Sequence, residues 1–245
     1  MKQIASVFLF LLIACKPKDL DLTAQQIIDK TMHYSGADQV VNSKIKFTFR
    51  TKEYTAIRKN GIFELFKQYL TADSLKIKEV LSNNGYLRFI NNKAVPVVDS
   101  LIADYGNAIN SVHYFSVLPF GLNNAAVHKK LLKSAQIKGK EYYKLEISFS
   151  EHGGGEDFED LFIYWIGKES FLIDYLAYSY HTNGGGMRFR AVKTQNKTKG
   201  IRFVNYENYK PIDPNIDFYT IDHAFENNGL KKVSEIILEA IEVEL

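Results

Sequence analysis

The chain has 245 residues, a formal net charge of +3, 46% hydrophobic and 13% aromatic residues, and a single cysteine. One cysteine excludes an intramolecular disulfide and a cysteine-based metal cluster. The basic residues are scattered rather than gathered in runs, which argues against nucleic acid as a partner.

The first fourteen residues read as an export signal. Lys2 supplies a positive start, and Ile4 to Ala14 is an apolar run too short to span a bilayer as a permanent helix. It ends in Leu12-Ile13-Ala14-Cys15, which resembles the bacterial lipobox. That resemblance implies cleavage after residue 14 and lipidation of Cys15. Each acyl chain would then contribute about 0.8 kcal/mol per buried methylene to membrane attachment. Residues 15–22 form the lipidated tether.

Thr23 is a good N-cap for a helix carrying Ile27, Ile28 and Met32 at helical spacing, and Gly36 stops it. His33, near the C-terminus of that helix, reads as structural. Strands are predicted over 44–50, 54–59, 62–69, 74–81, 86–90 and 94–98. The turn signals between them are Asn60-Gly61, Asn83-Asn84-Gly85 and Asn91-Asn92. Asp99 or Ser100 can cap a helix through 101–115, in which Leu101, Ile102, Tyr105, Ile109 and Val112 recur at three- and four-residue spacing. His113 lies close to that stripe, where a satisfied core histidine is the ordinary reading. A short helix is expected over 125–132.

From Tyr142 to Tyr209 the chain reads as a five-stranded antiparallel meander. Tyr143, Leu145, Ile147 and Phe149 alternate with Lys144, Glu146 and Ser148. Alternate turns of a meander share one end of the sheet, so the two triple-glycine turns, after His152 and after Asn183, should fall on one rim. That rim would gather His152 and His181, the acidic residues Glu151, Glu156, Asp157, Glu159 and Asp160, and Arg188 and Arg190 at the start of the next strand. Metal ligation by His152, His181, Glu156 and Asp157 is one reading of this cluster; solvated turn charges are the other. The His152-Gly153-Gly154-Gly155 run matches an esterase oxyanion loop, but no Gly-x-Ser-x-Gly nucleophile elbow accompanies it. Arg188 and Arg190 share a strand face and suit a carboxylate or phosphate. After the meander, residues 217–223 read as a linking segment. Alternation at Ile241, Val243 and Leu245 favours a closing strand, while Leu230, Val233, Ile237 and Ile241 also fit a helix.

The lipobox, the first helix, and two antiparallel strand sets flanking a helical segment with His113-Tyr114-Phe115 and Leu118-Pro119-Phe120 belong to one pattern. Together with Trp165-Ile166 and Ile173-Asp174-Tyr175-Leu176-Ala177-Tyr178, this layout resembles an uncharacterised family of bacterial lipoproteins of unknown function. More distantly it resembles the LolA/LppX-like half-barrels, in which a curved antiparallel sheet wraps helices around an apolar cavity. The resemblance implies an α+β, mainly antiparallel β fold, with residues 23–245 as a single half-barrel domain. It also implies a monomeric, non-enzymatic envelope lipoprotein, on the outer membrane, without a cofactor. Such a protein would bind an apolar lipid or acyl ligand. The candidate ligand-binding residues are His113, Tyr114, Phe115, Trp165, Tyr175, Tyr178, Arg188 and Arg190. A structural or interaction lipoprotein without a small-molecule ligand is the alternative, and a metal-dependent hydrolase at the glycine-rich rim is a third reading.

Overall fold

Helix α1 (Ala24–Ser35) begins where its sequence says it should. Thr23 and Gln26 form a reciprocal capping box: the Gln26 amide donates to Thr23 Oγ1 at 3.2 Å and the Thr23 amide to Gln26 Oε1 at 2.9 Å. The helix ends at Gly36, whose φ of +70° is the left-handed conformation that closes a helix without a Cβ penalty. A side chain at Gly36 would also overlap the Gly200 carbonyl oxygen, so this glycine lets two backbones touch. The computed structural model describes residues 22–152, 158–181 and 184–245. The signal segment, Cys15 and all of the tether but residue 22 lie outside them.

A 3-10 turn over Ala37–Asn42 leads into six consecutive antiparallel strands: β1 (Ser43–Phe49), β2 (Lys52–Lys59), β3 (Ile62–Leu70), β4 (Lys76–Ser82), β5 (Gly85–Ile90) and β6 (Lys93–Val95). Asn60 and Gly61 both adopt positive φ at the β2–β3 turn, which suits a two-residue hairpin. Helix α2 (Asp99–Ser116) follows. Then come β7 (Val127–Leu131), β8 (Ala135–Ile137), β9 (Lys140–Phe149), β10 (Leu161–Gly167), β11 (Ile173–Tyr180), β12 (Gly186–Thr198) and β13 (Ile201–Pro211). A short 3-10 turn over Phe218–Thr220 leads to α3 (Ile221–Glu226), and the chain closes with β14 (Leu230–Ile236) and β15 (Glu239–Glu244).

The strands form two open, curved, antiparallel sheets. One runs β15-β1-β2-β3-β4-β5-β6; the other runs β14-β13-β12-β11-β10-β9-β7, with β8 also paired to β9. The architecture is α+β and mainly antiparallel, as expected, but its curved wall is built from two hydrogen-bonded sets rather than one. The last two strands join them. β14 pairs with β13 in the second sheet, and after residues 237–238 β15 pairs with β1 in the first. The Leu238 amide donates to Asn205 Oδ1 at 2.8 Å at this crossing. Around it, Ile45, Phe47 and Val243 of the first sheet pack with Ile201 and Phe203 of the second. Burying each such side chain contributes roughly 1.5–3 kcal/mol.

Two expectations are corrected. The segment 125–132 is not a helix: Val127 to Leu131 pair with β9, Val127 opposite Phe149 and Leu131 opposite Leu145. A stretch this short follows the sheet edge beside it, because tertiary pairing outweighs weak local propensity. Residues 217–223 do more than link. Phe218 and Ile221 cover the convex face of the second sheet and pack with Trp165, Ala177 and Phe189. The covering is fixed by a buried polar cluster. Asp222 accepts from Trp165 Nε1 at 3.0 Å and from Lys144 Nζ at 3.0 Å, and Lys144 Nζ also donates to the Tyr219 carbonyl at 2.7 Å. Lys144 is therefore buried, although strand alternation alone points it to solvent.

Candidate functional site

Helix α2 has two working faces. Gly106, Ile109 and His113 turn toward β3, β4 and β5 of the first sheet. Tyr114 and Phe115, one and two positions on, meet the concave face of the second sheet. Tyr114 Oη lies 2.9 Å from Tyr164 Oη. The Phe115 ring is 5.5 Å from Tyr178 and 6.2 Å from Phe162. Helix α1 covers another part of the same concave face with Ile27 and Ile28 against Leu145, Tyr164 and Leu176.

Between α2 and the two sheets a half-open cavity of about 1300 Å³ remains. Its wall is mostly apolar and aromatic: Phe49, Phe63 and Leu65 from the first sheet, Phe162, Tyr178 and Tyr206 from the second. The size exceeds the roughly 300–1,000 Å³ of ordinary small-molecule pockets.

Of the eight residues expected to face a ligand, Tyr114, Phe115, Tyr178, Arg188 and Arg190 line this cavity. Three do not. Trp165 and Tyr175 lie on the convex face: they pair across β10 and β11, and Phe189 meets Trp165 edge-on at 5.5 Å and stacks on Tyr175 at 5.7 Å. The reason is strand period: Tyr175 and Tyr178 are three residues apart on one strand, so they cannot share a face. His113 is buried in the first sheet's core. Its ring meets Phe47 and Tyr54 edge-on, and its Nε2–H donates to the Phe66 carbonyl at 3.1 Å. Burial, helped by the nearby Arg58 charge, pushes its pKa down to about 3, so it is neutral at ordinary pH.

The rim is where topology placed it. His181 Nδ1 stands 4.0 Å from Asp160 Oδ1, which brings the β9–β10 and β11–β12 connections to one end of the sheet. His152 is exposed there. Glu156 and Asp157 lie outside the described residues, and among the described residues no group of three or more His, Cys, Asp and Glu side chains is placed to hold a metal.

Arg58 on β2 is a cavity residue that sequence reasoning missed. It lies on a strand rich in charges, with nothing in its local pattern to mark it out. The guanidinium packs 5.3 Å from the Phe120 ring, its Nη1 is buried without a hydrogen-bond partner, and burial pushes its pKa down to about 10. On the opposite sheet, Arg190 is only 8% exposed. Its guanidinium lies 3.9 Å from the Phe115 ring centre, Nη2 donates to Tyr178 Oη at 3.1 Å, and Nε is buried without a partner.

A family of unknown function, DUF6503, matches residues 2–237. The chain belongs to that family. No curated protein matches it. Among solved structures, the chain is similar to a LolA superfamily protein from Nitrosomonas europaea, with a TM-score of 0.47 and 12% identity over 91% of this chain and 92% of that one. It is similar to a putative outer membrane lipoprotein-sorting protein domain from Vibrio parahaemolyticus, with a TM-score of 0.46 and 6% identity over 90% and 93% of the two chains. The Mycobacterium tuberculosis lipoprotein LppX gives a TM-score of 0.29 and 9% identity over 66% of this chain and 90% of that one.

Proposed function

We propose that this protein is a non-enzymatic, monomeric lipoprotein of the bacterial cell envelope, anchored through Cys15 to the outer membrane, that holds or carries a lipid or acyl ligand in the cavity between α2 and the two sheets. The observation that carries this reading is the cavity itself. It encloses about 1300 Å³, and most of its wall is aromatic and aliphatic surface that the protein's own helices leave uncovered. Apolar surface of that extent is costly in water at roughly 25 cal/mol per Å², and an acyl chain relieves the cost. The lipobox-like run at Leu12 to Cys15 supports the anchor. One membrane attachment and one open apolar cavity are the two parts a lipid carrier needs.

The test uses the full chain carrying Cys15→Ser, so that its own acyl chains do not contribute. Lipid extraction and mass spectrometry of the purified protein are expected to return an acyl species in near-stoichiometric amount. Protein that carries no acyl species, and that takes up none when offered, would leave the structural or interaction reading in its place.

A further inference from the structure

Among the described residues, buried and partly buried cations such as Lys144, Lys67 and Arg202 stand beside carboxylates, whereas the buried Arg190 and the partly buried Arg58 do not. Lys144 is paired with Asp222 at 3.0 Å, Lys67 with Glu79 at 2.7 Å, and Arg202 stands 3.8 Å from Asp174. Arg58 and Arg190 form no ion pair among the described residues, and each keeps a buried guanidinium nitrogen without a hydrogen-bond partner. Both line the same cavity, Arg58 from the first sheet and Arg190 from the second. A guanidinium carries five N–H donors. At Arg190 one protein acceptor is met among the described residues, the Tyr178 hydroxyl. Removing a charge from water without a partner is costly, so a largely buried arginine that lines an open cavity without a counter-ion is poised for an anion that arrives from outside.

The surroundings narrow the choice. Arg190 is flanked by Phe115 and Tyr178, and Arg58 by Phe120, so each cation sits among apolar wall rather than in a polar basin. Two carboxylates, Glu151 and Asp160, also border the cavity, at the turns of the rim. Arg188 lies two residues nearer the β11–β12 turn than Arg190, its Nη1 donating to the Met187 carbonyl at 2.8 Å and its guanidinium over the Tyr180 ring. A small free anion would satisfy the cations but leave the apolar wall of the cavity in contact with water. A molecule that is apolar along most of its length and anionic at one end fits both the wall and the cations.

We propose that Arg190, together with Arg58, receives the anionic head group, a carboxylate or a phosphate, of an amphiphile whose acyl chain occupies the rest of the cavity. This rests on the carrier reading above and adds the charge of the ligand to it. The rival is a purely internal role, in which Arg190 clamps α2 to the second sheet through Phe115.

Equilibrium binding to the delipidated full chain carrying Cys15→Ser separates these, with palmitate, hexadecyl phosphate, hexadecanol and inorganic phosphate as the probes. Palmitate or hexadecyl phosphate is expected to bind at least roughly tenfold more tightly than hexadecanol, as one charge-assisted hydrogen-bonded pair implies. Whichever of the two binds tighter identifies the head group. Arg190→Met, which keeps the apolar stem, should bring the anionic probes to the hexadecanol level while hexadecanol binding stays unchanged; the unchanged alcohol also shows that the variant is folded. Arg58→Met should act in the same direction. If palmitate, hexadecyl phosphate and hexadecanol bind equally and Arg190→Met changes none of them, the head-group proposal fails and the carrier reading survives. Inorganic phosphate binding as tightly as hexadecyl phosphate would equally defeat it, since the acyl chain would then be irrelevant. If no acyl probe binds at all, both readings fall together.

Discussion

At the scale of single residues, His113 shows how burial turns a polar side chain into a pH-dependent contribution to stability. Its ordinary pKa is 6.5, and in the folded protein it is pushed down to about 3, chiefly by burial and secondly by Arg58. Between those values the unfolded chain binds a proton that the native state refuses. Stability therefore rises with pH across that window, and is lost as pH falls from 6.5 toward 3, by on the order of 1 kcal/mol per unit. Arg58 keeps its charge throughout this range and does not reverse the sign. His113→Phe should remove this slope. Urea unfolding of both proteins at pH 7.5, 5.5 and 4.5 is expected to show the stability difference shifting in the variant's favour as the solution is acidified. A difference independent of pH would contradict the assignment.

The same scale explains which site residues were legible. Period two in β11 separates Tyr175 from Tyr178 without any structure, and that signal was available in the sequence. Nothing local announces that Lys144 meets Asp222, because the partner is supplied by α3, more than seventy residues away.

Among the elements, α2 is the one on which the site depends. It lies against the first sheet and lines the cavity between the two sheets, so its position sets the cavity's width. Gly106 is in its interior, where glycine disfavours a helix relative to alanine by roughly 1 kcal/mol. A Cβ there would stand 3.6 Å from Leu81 Cδ1, an ordinary van der Waals contact, and no positive φ obliges glycine. Gly106→Ala is therefore expected to stabilise the protein by roughly 0.5–1 kcal/mol in equilibrium unfolding, with ligand binding retained. A loss of stability would mean that α2 must approach the first sheet more closely than this geometry shows. The helix itself was evident from apolar spacing, as were α1 and most of the strands. β7 was not, since a five-residue edge strand acquires its conformation from β9. The covering role of α3 was hidden for a similar reason: six residues carry too little periodicity to reveal which surface they protect.

For the molecule as a whole, the decisive feature is the way the last sixteen residues cross from one sheet to the other. β14 extends the second sheet, and β15 covers the edge strand β1 of the first, where Lys44 pairs with Glu244 at 2.8 Å. Removing residues 237–245 would take Leu238 and Val243 out of the core and bare the β1 edge. Unpaired edges invite pairing with other chains. The truncated protein is expected to lose several kcal/mol of stability, at roughly 1.5–3 kcal/mol for each buried side chain. It should also elute as oligomers in size-exclusion chromatography. A truncated chain that stays monomeric and as stable as the parent would show that the two sheets hold together without this bridge.

Alternating and helical spacings, turn residues and the lone cysteine determined most of the secondary structure, the antiparallel class and the lipobox-like start, because each is a property of neighbours along the chain. The division into two sheets, the convex cover of α3 and the placing of Arg58 and Arg190 on the wall of one cavity were decided only by tertiary structure. Those relations join residues far apart in sequence, and no local periodicity encodes which buried charge will find a partner and which will be left facing an open space.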